Sequence, residues 1–357
     1  MVVAARYVNK ELLQVFGMVM IILLVVAVGG RFIGFLQDAA LGKYSADVLF
    51  SIMALRLPGY LQLLLPFSYY IALLLTLGRL FADQEMVILQ GGGVSPGRLL
   101  RWLALPTLVI AGLVAWLALE VTPNSHADLA AFVLEQRLNQ NFTSVAPGTF
   151  HSYSGGNRVT YSEDVSEDRR ELNRVFIAEK KKDGGDVTVW AEKGSQYVDR
   201  DTGSRFLVLE NGRRYEGKIG QLDYRIVEFR KLSQRLAFEE VAASRAKTES
   251  KTTRTLLAAP DIAAQAELYW RLGLPLFTIV AGMIAVGFAR VKPRQGRFAK
   301  LVPGLGIFMA YYLILVACQN AMREGELSSV LGFWVVHGLF LVLAIVLIRR
   351  IARPAKV

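Results

Sequence analysis

Asn173-Arg-Val-Phe-Ile-Ala, a turn at Asp183-Gly-Gly, then Asp186-Val-Thr-Val-Trp-Ala: these two alternating runs set the reading of the middle of the chain. The pattern recurs at Arg158-Val-Thr-Tyr, Ser204-Arg-Phe-Leu-Val-Leu and Asp223-Tyr-Arg-Ile-Val-Glu-Phe, with turn signals at Ser154-Gly-Gly-Asn, Asp201-Thr-Gly and Asn211-Gly. Period-2 alternation broken by closely spaced glycine turns is the mark of an antiparallel sandwich or barrel. Residues 124–262, about 140 in all, suffice for one such domain.

On both sides of this polar middle the chain turns apolar. It has 357 residues, 53% of them hydrophobic, and a mean hydropathy of +0.36. The middle holds 22 Lys and Arg against 21 Asp and Glu, so the formal net charge of +11 belongs almost wholly to the apolar flanks. Basic residues at the ends of membrane spans account for such an excess without nucleic acid. The single cysteine, Cys318, lies in an apolar run and has no internal disulfide partner. The three histidines are far apart and no Cys/His cluster has metal-ligand spacing, so no metal or other cofactor is expected.

Six runs are long enough to span a bilayer: Leu12 to Gly30, Pro58 to Leu77, Leu99 to Val121, Leu268 to Ala289, Leu301 to Gln319 and Val330 to Ile348. No small-residue cleavage site follows the first, which therefore reads as an uncleaved membrane helix. Phe35 to Leu57 reads as a mixed loop, and Pro66 predicts a kink in the second span. The fold class is a multi-pass α-helical membrane protein of six transmembrane helices with an inserted antiparallel β domain, a sandwich or barrel. Its parts are a membrane half (1–123), the β domain with helical flanks (124–262) and a second membrane half (263–357). With both termini cytoplasmic, the inner side collects Arg6, Lys10, Arg79, Arg98, Arg101, Arg290, Lys292, Arg294, Arg297, Lys300, Arg349, Arg350, Arg353 and Lys356. The short outer loops keep Arg31, Lys43, Arg56 and Arg323. That asymmetry puts the insert outside the cytoplasm. Trp116 and Trp270 fall where outer interfacial anchors belong.

In this order, four stretches carry a resemblance: Arg79-Leu-Phe-Ala-Asp-Gln-Glu-Met before the Gly91-Gly-Gly run; Phe206 to Gly217 with Asn-Gly-Arg-Arg-Tyr-Glu-Gly; Glu267-Leu-Tyr-Trp-Arg; and Lys292-Pro-Arg-Gln-Gly-Arg. The whole chain resembles the LptF/LptG permeases of lipopolysaccharide export, and the Pro293 loop is closer to the LptF branch. The resemblance implies a noncatalytic subunit of the bacterial inner membrane with a periplasmic jellyroll. It would pair with an LptG-like permease, driven by an LptB-like ATPase dimer, and pass lipopolysaccharide to LptC-like and LptA-like jellyrolls. The residues agree on energy supply: Gly91 to Gly93 is followed by Val94, and Pro303-Gly-Leu-Gly by Ile307, so neither has the lysine of a phosphate loop.

Two sets of site residues follow. Arg79, Phe81, Asp83, Gln84, Glu85, Met86 and Leu89 form an amphipathic segment between spans two and three, suited to a groove on the ATPase; a solvated membrane turn is the alternative. Arg31, Phe32, Ile33, Leu313, Val316 and Arg323 set cations above apolar helix faces, as lipid A phosphates and acyl chains require. Ordinary snorkelling is the alternative for both arginines. His337, inside the sixth span, calls for a hydrogen bond to a neighbouring helix. In the β domain one alternate set (Val159, Tyr161, Val175, Ile177, Val187, Val189, Phe206, Val208, Tyr224 and Ile226) is expected to face inward, around either a lipid path or a dry core. Three functions stand: an exporter subunit, of the LptF or LptG branch; a secondary transporter, which needs paired intramembrane charges; and a membrane-anchored periplasmic scaffold.

Overall fold

The computed structural model describes residues 2–40, 46–139, 148–153, 158–166, 171–180, 185–198, 205–217, 225–235, 248–259, 261–290, 298, 300–327 and 329–352. Two units emerge: Met1–Phe35, Phe50–Leu129 and Ala246–Val357 in one, Leu36–Leu49 and Ala130–Arg245 in the other. Tyr224 and the Lys292–Arg297 loop lie outside the described residues.

The helices are α1 (Val2–Ala40), α2 (Ala46–Ala82), α3 (Glu85–Gly91), α4 (Pro96–Trp116), α5 (Thr122–Asn139), α6 (Thr253–Ala258), α7 (Ile262–Phe288), α8 (Leu301–Arg323) and α9 (Ser329–Ala352), with a π-turn at Leu117–Val121 joining α4 to α5. Six of these stretches are long and apolar enough to cross a membrane. The expected loop at 35–57 is largely helix instead, because α1 runs on to Ala40 and α2 begins at Ala46. Pro66 does lie inside α2, where it removes one backbone donor.

The most enclosed span is α7, and its composition shows why. Glycines let its backbone approach its neighbours closely, as in other membrane helix pairs. A Cβ at Gly273 would come within 2.6 Å of Phe333, and one at Gly287 within 2.7 Å of Leu347, both on α9. Phe277 meets Phe308 and Tyr311 of α8 at ring separations of 5.0 and 4.8 Å. Buried polar groups are tied across helices: Tyr69 Oη to Thr107 Oγ1 (2.7 Å), Tyr70 Oη to the Gly304 carbonyl (2.8 Å) and Tyr311 Oη to His337 Nδ1 (2.5 Å). The last is the interhelical bond expected of His337.

The second unit holds a six-stranded antiparallel sheet in strictly sequential order: β1 (Phe150–Tyr153), β2 (Arg158–Val165), β3 (Glu171–Lys180), β4 (Asp186–Val198), β5 (Arg205–Gly217) and β6 (Arg225–Arg235). Asn211-Gly, read as a turn, lies in the middle of β5. Its place is explained by a crease. Glu163, Arg174, Glu192, Asn211 and Arg230 line up across five strands and are skipped in each pairing between those strands. Arg174 and Asn211 have φ of 50° and 52°. All five side chains are exposed, and the burial alternation changes phase there, from Leu172 to Val175 on β3 and from Leu209 to Gly212 on β5.

The crease corrects the inward-facing set. Val175, Ile177, Val187 and Val189 are buried as expected, but Leu172, Ala191, Leu207 and Leu209 complete the core. Val159, Tyr161, Phe206, Val208 and Ile226 have the other parity; Val208 is buried all the same, whereas Ile226 is 59% exposed. The sheet also doubles over. Gln234 Nε2 donates to Glu179 Oε2 at 3.2 Å, although the partners of these residues on β4, reached through β5 and directly, are Gln196 and Val187. Nine residues of flat strand would separate them by about 30 Å. At the fold Gly212 admits no side chain, since a Cβ there would lie 2.3 Å from the Trp190 carbonyl.

Candidate functional site

The helix ends that carry Val2 form one face of the bundle, here the terminal face. There the amphipathic segment between spans two and three is two pieces. The α2 helix stops at Ala82, Gln84 adopts φ 62°, and α3 starts at Glu85. Its apolar residues divide by side. Phe81 and Met86 are buried and Leu89 packs on the same core, so these three hold the segment to the bundle. Outward stand Asp83 and Gln84, with Val87 (57% exposed) and Ile88 (74%), which the amphipathic reading passed over because Met86-Val-Ile-Leu is apolar on every side. The glycine run turns the chain into α4: Gly93 has φ 87°, Ser95 caps by accepting from Arg98 N, and Arg98 Nη1 donates back to the Gly93 carbonyl at 2.8 Å.

Arg79 is the hub of this face. Its Nη2 donates to Glu11 Oε2 (2.6 Å) and Tyr7 Oη (2.9 Å), while Nη1 lies 3.4 Å from both Asp83 Oδ2 and Glu85 Oε1. Tyr7 in turn donates to Glu85 Oε2 at 2.9 Å. Glu85, one of the residues expected to meet the ATPase, is thus already engaged within its own chain. The cluster stays wet, with Arg79 29% and Glu85 35% exposed.

At the opposite face the helices carry a buried cluster. Glu267 and Arg271 stand one turn apart on α7 and pair at 3.0 Å with side-chain exposures of 7% and 3%. Arg271 also donates to the carbonyls of Lys251 and Glu249 (both 3.0 Å) and to Thr253 Oγ1 (3.2 Å). Thr253 Oγ1 itself donates to the Leu119 carbonyl at 2.5 Å. Leu119 lies in the π-turn, whose i→i+5 spacing leaves carbonyls that need partners. From α8, Arg323 Nη2 donates to Glu267 Oε2 (2.8 Å) and lies 3.6 Å from Glu249 Oε1, with Gln319 at 3.4 Å from Glu267. His126 Nδ1 is 3.8 Å from Glu249 Oε2. Segment 249–253 is therefore clamped to the π-turn, α7 and α8. Starting span four at Leu268 hid this cluster; a Glu and an Arg four residues apart on an apolar helix were the available signal.

The residues expected to meet lipid divide between two helices. On α1, Arg31 is exposed with its guanidinium 5.9 Å from the Tyr60 ring, Phe32 lies 6.4 Å from Phe50, and Ile33 is 59% exposed. On α8, Leu313 is 56% exposed and Val316 half-buried, whereas Arg323 is committed to Glu267. Trp116 is 58% exposed, and Trp270 packs edge-on against Tyr312 and Phe333.

Residues 6–350 match the family described as lipopolysaccharide export system permease LptF/LptG. Among curated proteins, the chain is 29% identical over 348 residues to the lipopolysaccharide export system permease protein LptF of Escherichia coli strain K12, covering 96% of this chain and 93% of that one. The proteins of the same name from Escherichia coli O157:H7 and Shigella flexneri match to the same extent.

Proposed function

This chain belongs to the LptF/LptG family of lipopolysaccharide export permeases, and from that premise we propose that it is the transmembrane subunit of an ABC-type exporter in the bacterial inner membrane. In this reading it takes lipopolysaccharide from the outer leaflet and hands it to a periplasmic bridge, powered by a separate ATPase dimer. The termini are cytoplasmic and the β insert periplasmic, a reading that the basic residues of the terminal face support. The partners are an LptG-like permease, an LptB-like ATPase, and LptC-like and LptA-like jellyroll proteins; the chain itself is noncatalytic.

The observation that carries the ATPase contact is α3. A seven-residue helix at the terminal face presents Val87 and Ile88 to solvent beside the carboxylates of Asp83 and Glu85. An apolar knob rimmed by negative charge fits a partner groove with a basic edge. For lipid, Arg31 with Phe32 and Ile33 forms one half-site on α1, and Leu313 with Val316 another on α8, each to be completed by the paired permease. The insert acts as a jellyroll-like bridge that adds a neighbour's strand at an edge of the described sheet, β1 or β6. The covered core around Val175, Ile177 and Leu209, none more than 1% exposed, favours a bridge over a lipid conduit. Purification of the detergent-solubilised chain with its partners tests the reading. The ATPase should co-purify with the parent and be lost from Val87→Asp/Ile88→Asp, and mass spectrometry should find lipopolysaccharide bound. Retention of the ATPase by that variant would move the contact elsewhere.

A further inference from the structure

The break at Asp83–Gln84 raises a mechanical problem. A continuous helix from α2 through residue 90 would carry any push on α3 straight into span two. Instead the backbone reverses hand at Gln84, and besides the short backbone link, with Gln84 N–H donating to the Phe81 carbonyl at 3.2 Å, side chains tie α3 to its surroundings. The polar ones converge on α1. Arg79 and Glu85 hold Tyr7, and Arg79 holds Glu11 at 2.6 Å. One turn of α1 is pinned from the other side as well, where Asn9 Nδ2 donates to the Trp102 carbonyl of α4 at 3.1 Å. Val8 and Leu12, both 0% exposed, fill the space between.

Beyond that turn α1 is lightly held. Among its described residues Val8 and Leu12 alone are buried; further out it leans on α2 through Phe16 against Tyr69, Met20 against Ser68, and Arg31 against Tyr60. A helix fixed over one turn and loosely packed along the rest behaves as a lever. From Leu12 to Ile33 is about 32 Å, so a tilt of about 5° at the fixed turn moves Ile33 by about 3 Å.

We propose that movement of α3 is transmitted to span one through the Tyr7–Glu11–Arg79–Glu85 cluster, with Tyr7 and Glu11 as positioning residues of the export cycle. Charge arithmetic gives the direction. One guanidinium serves three carboxylates: Glu11, Asp83 and Glu85. A partner cation that draws Glu85 away leaves Arg79 bound more fully to Glu11, so docking at α3 tightens the grip on α1 and shifts its outer end. This inference rests on the reading that α3 meets the ATPase.

The test uses the whole complex, permease pair with ATPase and periplasmic bridge, in proteoliposomes. Tyr7→Phe/Glu11→Ala is compared with the parent and with Glu11→Asp, which keeps the charge. Nitroxides on Ile33→Cys and Leu313→Cys, in a Cys318→Ala background, follow α1 against α8 as ATP is added. Hydrolysis should stay near the parental rate while lipopolysaccharide released per ATP falls at least about threefold, the scale of a half-exposed ion pair. The ATP-dependent distance change should shrink in parallel, with Glu11→Asp recovering most of both. Unchanged release and distance would overturn the proposal. So would a fall in hydrolysis equal to the fall in release, which would place Tyr7 and Glu11 in docking rather than transmission. Parental coupling in a Val87→Asp/Ile88→Asp complex is the separate result that removes the underlying reading.

Discussion

Each face of the helical bundle carries an ion cluster built around arginine, and solvent separates their roles. Arg79 at the terminal face is 29% exposed and shared among three carboxylates and a tyrosine, with two of its contacts at 3.4 Å. Arg271 at the opposite face is 3% exposed and gives hydrogen bonds to one carboxylate, two backbone carbonyls and a hydroxyl, none longer than 3.2 Å. A screened, oversubscribed arginine exchanges partners at small free-energy cost. A dehydrated one with every nitrogen partnered does not, because losing its partner strands a charge. The first cluster suits a joint that must move. The second suits a clamp that fixes segment 249–253 to the π-turn, α7 and α8.

The largest effect that would break this contrast is at Arg271. Arg271→Leu leaves the Glu267 carboxylate with reduced compensation and two carbonyls without their donor, so it should cost about 3–5 kcal/mol. Thermal unfolding of the helical unit in detergent, followed by circular dichroism, reads the loss. A Glu267→Gln/Arg271→Leu double variant should recover part of it, since no carboxylate is then left behind. Equal stability of Arg271→Leu and parent would mean that the pair is no clamp.

The two arginines expected to hold lipid phosphates sharpen the contrast. Arg323 belongs to the buried cluster, so Arg323→Glu brings a third carboxylate against Glu267 and Glu249 and should lower the unfolding temperature before any question of lipid arises. Arg31 is exposed over Tyr60. Arg31→Glu should leave unfolding within about 0.5 kcal/mol of the parent, as surface substitutions usually do. It should nonetheless reduce lipopolysaccharide crosslinking and release more than Arg31→Lys, at matched ATPase activity. Identical behaviour of the two glutamate variants would erase the distinction drawn here.

Much of this layout was legible in the sequence, and the failures share a cause. Hydropathy located six spans because length and apolarity are local properties. Alternation located β2 to β6 for the same reason. Burial in the sheet was not legible past the crease, because five strands change phase together at Glu163, Arg174, Glu192, Asn211 and Arg230, and only strand pairing brings those residues into one row. Asn211-Gly carries the composition of a hairpin turn while serving a left-handed backbone position in mid-strand. At the candidate coupling site, Glu85 and Arg79 were visible as charges, but their partners Tyr7 and Glu11 lie some seventy residues earlier in the chain. Arg323 was visible as a cation at a span end, and its satisfaction by Glu267 needed the packing of α7 on α8. Long-range pairing decides what a charged residue is free to do.

The most direct measurement is lipopolysaccharide released per ATP by a reconstituted Glu85→Lys complex, read beside its unfolding temperature. Glu85→Lys puts a cation next to Arg79, removes the acceptor of Tyr7 and reverses the charge offered to a partner. The exposed-joint account predicts unfolding within about 1 kcal/mol of the parent, as for other half-exposed pairs, together with loss of ATPase assembly or of release per ATP. Parental release at parental stability would contradict it.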